Sequence, residues 1–80
     1  MDEESNAGRI AVVLEHWMGH NRGHVEEFTK WAEKAKASGH AKVSERILEA
    51  ARQMHKANAI LDDALCELSA SNASIERGEA

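Results

Sequence analysis

The sequence predicts an all-α fold, two long helices folded back on each other as an antiparallel hairpin. Three observations carry it. No proline interrupts the 80 residues, and proline is the residue that breaks helix interiors. Apolar residues recur in two long stripes whose spacing alternates between four and three. One short break, Ala37-Ser38-Gly39-His40, separates the stripes. The abundance of Ala, Glu, Lys, Leu and Arg adds intrinsic helix propensity.

The first stripe reads Ile10, Leu14, Trp17, Asn21, His24, Phe28, Trp31, Ala35. This is a heptad seam along one helix face. Two adjacent seam positions, Asn21 and His24, are polar. The second stripe reads Val43, Ile47, Ala50, Met54, Ala57, Leu61, Ala64, Leu68. Ser5 or Asn6 can cap the first helix, although Gly8 weakens that start. Lys34 and Lys36 suit the negative end of its dipole, and Gly39 suits the left-handed residue that ends it. The helix-poor run Ser69-Ala70-Ser71-Asn72-Ala73-Ser74 marks the end of the second helix. The expected layout is an acidic flexible head at 1–5, a hairpin over 6–70 and a frayed tail at 71–80. Within the hairpin, helices over about 6–37 and 41–70 flank a turn at 38–40.

A short connection makes two such helices antiparallel neighbours. The turn then sets Phe28 level with Glu49 or Ala50, His24 with Gln53 or Met54, and Trp17 with Ile60 or Leu61. Val13, Leu48, Ala51, Ile60 and Leu65 lie beside the seams and widen them. A widened apolar stripe faces more than one neighbour. The expectation is a homo-oligomer, most simply a dimer of hairpins forming a four-helix bundle. Chains this short bury a modest fraction of their surface and need such support.

A formal net charge of −4 argues against a nucleic-acid surface. The acidic start, Met1-Asp2-Glu3-Glu4-Ser5, is unlike a signal or transit peptide. The longest apolar run, Ile10 to Leu14, is too short to span a bilayer. A single cysteine, Cys66, forms no internal disulfide and fits a reducing compartment. The expectation is a cytoplasmic protein with no membrane partner.

The unusual chemistry is His16-Trp17-Met18-Gly19-His20-Asn21-Arg22-Gly23-His24. Histidines four apart stack on one helix face. Two of them can chelate one ion from a single helix. His20, His24 and Glu27 fall at i, i+4 and i+7, which sets two imidazoles and a carboxylate on a narrow strip. His55 lies near the level of His24 across the hairpin, and His16 is a further candidate. Such a donor set suits a divalent transition metal, zinc or nickel foremost. Two other readings stand beside this one. His24 could be a satisfied core histidine beside Asn21, with His16 and His20 as partly exposed surface residues. The run could also respond to pH, because imidazole titrates near neutrality.

Asn21 in a seam can set register, with Asn58 at the same level as its partner. On that reading the chain is a structural or protein-interaction module with a protein partner of its own. Gly19 and Gly23, four apart on the outer face, suggest close approach of another helix or a tolerated weak spot. Asp62, Asp63, Cys66 and Glu67 read as a solvated face. Trp17 and Trp31 read as core anchors, and Met54 as seam packing. The chain holds no glycine-rich phosphate loop, no credible serine triad and no Glu-x-x-His of the di-metal bundles. A non-enzymatic binding protein is expected.

The residues His16, Trp17, His20, Asn21 and His24, followed by Phe28, Trp31-Ala32 and Gly39, carry a resemblance. They resemble a group of small uncharacterised prokaryotic helical-hairpin proteins with a His-Trp-x2-His-Asn-x2-His pattern. The likeness covers Leu14 to Leu61. It implies the hairpin and marks those residues as a signature. It supplies neither substrate nor cofactor.

Overall fold

The computed structural model describes residues 2–76, with side chains described for residues 6–70. Helix α1 runs Asp2–Ala37 and helix α2 runs Ala41–Glu76. Both extend beyond the limits that capping and composition suggest. The backbone is helical at 2–5 and at 71–76, within the expected head and tail. Met1 and residues 77–80 of those segments lie outside the described residues. The two helices pack on each other along a rod of 60 × 17 × 13 Å. Among the described residues no helix is long and apolar enough to cross a membrane.

The reversal is built by Gly39. Its φ is +86°, in the left-handed region. His40 N–H donates to the Ala35 carbonyl at 2.8 Å, and Gly39 N–H to the Lys36 carbonyl at 3.1 Å. This crossed pair is a Schellman cap. Ser38 Oγ adds a bond to the Lys34 carbonyl at 2.9 Å. The next helix starts at once, with Ser44 N–H donating to the His40 carbonyl at 3.0 Å. A Cβ added at Gly39 would meet no atom within 4 Å, so the constraint is backbone conformation alone. Gly39→Ala is therefore expected to destabilise the hairpin by roughly 1–2 kcal/mol. Gly39→Asn should recover part of that loss. Thermal melts of the three proteins check the order, and an alanine variant as stable as the parent would contradict it.

The seam itself differs from the stripe chosen on size. Trp17 and Trp31 are 51% and 54% exposed, and Ile10 is 48% exposed. The faces that meet are displaced by one residue. On α1 they read Ala11, Leu14, Met18, Asn21, Val25, Phe28, Ala32, Ala35; on α2 they read Ser44, Ile47, Ala51, Met54, Asn58, Leu61, Leu65, Leu68. Each set keeps the alternation of four and three. Each shares every second position with the expected stripe and replaces the others by their neighbours.

The physical reason is side-chain size. Interaxial distance follows the side chains at the contact. Ala32, Ser44 and Ala51 are the small buried residues of the seam, Ala32 at 1% exposure. An indole in place of Ala32 would hold the axes apart, so Trp31 stands outside, and the same rotation puts Met18 rather than Trp17 in the seam. No described residue larger than leucine is buried, and a single hairpin has almost no core of its own.

The displacement sorts the flanks. Beside Asn21 and Phe28 on α1 lie Ile10, Trp17, His24 and Trp31; beside Met54 and Leu61 on α2 lie Val43, Ala50, Ala57 and Ala64. Antiparallel helix geometry puts these two rows on the same face of the hairpin. The opposite face carries Glu15, Arg22, Thr29, His55 and Asp62. One face is apolar and aromatic with a histidine in its middle; the other is mainly polar, with Leu48 beside His55 and Asp62.

Candidate functional site

The histidine run occupies the middle of α1, where no break in the helix disturbs the spacing. A perfect repeat of four drifts slowly round a helix of 3.6 residues per turn. His24 therefore sits half-buried at the seam edge, while His20 and His16 step outward into exposed positions. The three rings form a ladder. His16 and His20 are stacked with centroids 6.3 Å apart. His20 and His24 meet edge-to-face at 4.4 Å. The ladder ends on Phe28, whose ring lies 5.7 Å from that of His24.

His20 Nε2 and His24 Nε2 are 2.9 Å apart. That contact requires one ring to donate its N–H and the other to offer its lone pair. Two ring nitrogens thus approach each other closely on the outer face of the helix. With metal–nitrogen bonds of about 2.0–2.1 Å, a tetrahedral ion spaces two ligands about 3.3 Å apart. A right-angled pair in a square-planar ion is spaced about 2.9 Å apart at the same bond length. An ion held by both nitrogens would lie off the line joining them, so the rings would part by a few tenths of an ångström and each would turn to aim its lone pair at the ion.

The remaining predicted donors are placed differently. Glu27 is exposed on the same strip, one turn beyond His24. His55 is exposed at the level expected but on the opposite face from His24, because the seam runs one residue away from the expected stripe. Among the described residues, no three His, Cys, Asp or Glu side chains come together to hold a metal. The local donor set is the His20–His24 pair. Asp62, Asp63, Cys66 and Glu67 are all exposed.

Directly beneath the pair, the two asparagines meet. Asn21 Nδ2 donates to Asn58 Oδ1 at 2.9 Å. Asn58 Nδ2 donates to the Met18 carbonyl at 3.0 Å. Both side chains are half-buried, so this bridge links the helices at the level of the histidine ladder. No buried side-chain nitrogen or oxygen lacks a partner among the described residues.

A second polar cluster lies on the outside of α2. Gln53 donates to Glu49 Oε2 at 2.7 Å, and Arg52 donates to Oε1 at 2.6 and 3.0 Å. The Gln53 amide, with the Arg52 guanidinium, holds the Glu49 carboxyl below its usual range. Neighbours three and four apart on one solvated helix explain it.

Sequence reasoning missed the groove. On the apolar face, Arg9, Ile10, Val13, Leu14 and Trp17 line a shallow depression beside the ladder. The signal for it was present in the pairing of Ile10 with Val13 and Trp17, all on one strip, once Trp17 is placed outside the seam. A family model for a domain of unknown function, DUF8180, matches residues 10–68. The chain belongs to this family. The matched segment takes in the groove except Arg9, the whole histidine run, the Gly39 turn and both faces of the seam. No curated protein and no solved structure matches the chain. The family domain is thus the hairpin itself.

Proposed function

We propose that this hairpin is a small non-enzymatic, self-associating binding protein that takes a divalent transition metal at His20 and His24. The observation that carries this reading is the 2.9 Å approach of the two Nε2 atoms on an exposed helix face. Glu27, on the same strip, can turn toward an ion held there as a third ligand. His55 is left out of the set because it lies on the other face. His16 extends the ladder by one ring and is a weaker extra donor. The thin seam supports self-association, since oligomerisation is a usual remedy for a chain that cannot bury a core alone.

The test is a titration of tag-free, metal-stripped chain with zinc and with nickel. Trp17 lies within one turn of His20 and His16, so its fluorescence should report binding. Saturation at micromolar metal or below is expected, and His20→Ala with His24→Ala should abolish it. Absence of saturable binding to the parent chain would end the metal reading.

The Asn21–Asn58 bridge favours a second reading, a structural or protein-interaction module whose polar seam sets register. On that reading the histidine substitutions leave stability and partner binding unchanged, while the asparagine substitutions alter them.

A further inference from the structure

The His20–His24 pair is half of a site. Two imidazoles leave at least two positions of a tetrahedral or square-planar ion unfilled, and no third donor is gathered beside them among the described residues. Glu27 can supply one of them at most, so at least one ligand comes from outside the chain, and the same strip of α1 indicates from where.

That strip carries a projection and a recess. The projection is Trp31, 54% exposed, with Lys34 Nζ stacked 4.3 Å from the centre of its ring. The recess is the groove of Ile10, Val13, Leu14 and Trp17. They stand on the same flank of the same helix, on opposite sides of the histidines. The level midway between Trp31 and the centre of the groove, near Val13 and Leu14, is that of Arg22. Arg22 is itself midway between His20 and His24. A two-fold axis lying just outside this face, perpendicular to α1 at that level, performs two operations at once. It sets Trp31 of each copy over the groove of the other. It also brings the His20–His24 pair of one copy against that of the second. An isologous contact demands this kind of self-complementary spacing.

We propose that a second copy of this chain docks on this strip with its α1 antiparallel, and that the two histidine pairs close on one shared transition-metal ion at the two-fold axis. This rests on the metal reading above and adds its partner, stoichiometry and ligand set. Four imidazoles then complete an ion that either chain alone would leave open. The contact area is adequate. From Ile10 to Lys34 the strip is about 36 Å long, and the hairpin is 17 Å wide. Its flat footprint is about 600 Å² per partner, below the ~800 Å² of a standard interface and above the ~500 Å² per partner that a specific contact should clear. Val43 and Ile60, 52% and 67% exposed, extend the apolar surface across α2.

The experiment is native mass spectrometry of the full chain, metal-stripped and then supplied with zinc or nickel alone, beside sedimentation at matched concentrations. The expected species is a dimer carrying one ion per two chains. Trp31→Glu and, separately, Val13→Glu should each weaken the dimer at least about tenfold and lower metal affinity with the histidines intact. Both side chains lie outside the seam, so helicity by circular dichroism should stay at the parent level. One ion per chain on a monomer would overturn the shared centre and leave the metal reading standing. A one-to-two complex indifferent to both substitutions would overturn the docking face. A parent chain that binds no ion would overturn the shared centre together with the metal reading.

Discussion

Ala32→Leu is expected to destabilise the hairpin by about 1–3 kcal/mol, the cost of overpacking a tight contact. For a chain this size each kcal/mol lowers the melting temperature by about 4–8 °C. Ala32 is 1% exposed and lies between the helices near the turn, beside the buried Ser44 and Ala51 side of the seam. Three added carbons have no room there unless the axes part. The neighbouring substitution, Trp31→Ala, removes a far larger side chain. It should cost under about 1 kcal/mol in the dilute chain, chiefly the stacking of Lys34 on an exposed ring. Thermal melts of the two variants at low concentration decide the matter. A larger loss from Trp31→Ala than from Ala32→Leu would return the tryptophan to the seam and refute the displaced register.

Asn21→Leu or Asn58→Leu alone should each cost roughly 1–3 kcal/mol, because the partner amide is left half-buried without its bond. The double substitution should recover most of that loss or exceed the parent in stability, since leucines at facing seam positions pack without polar atoms. The coupling in a double-mutant cycle is then large and favourable to the intact pair. Sedimentation of the double variant should show mixed association states, because a seam polar pair specifies register at some cost in stability. Additive single effects would show that the two amides act independently and would deprive the bridge of its role.

Much of the fold was legible. The period of four and three, the missing prolines and the single glycine break determine two helices and a reversal, because each acts within a few residues along the chain. The pairing level follows too, since a short turn leaves little freedom in how the helices lie side by side. Asn21 and Asn58 could be named as neighbours for that reason. The i, i+4 geometry of His20 and His24 is likewise local, and it survives in the structure as the 2.9 Å contact.

What the sequence by itself determined is thus everything that helical periodicity controls: the elements, the turn, the approximate register and the histidine strip. Only the tertiary structure decided which side of each stripe faces inward. Two stripes sharing every second residue are equally periodic, so the pattern cannot choose between them. Size chose, because a seam built on Ala32, Ser44 and Ala51 has no room for the indole of Trp31, and the rotation that turns it out turns Trp17 out with it. That rotation of each seam by one residue carries the tryptophans to the surface, sends His55 to the far face and opens the groove beside the histidines.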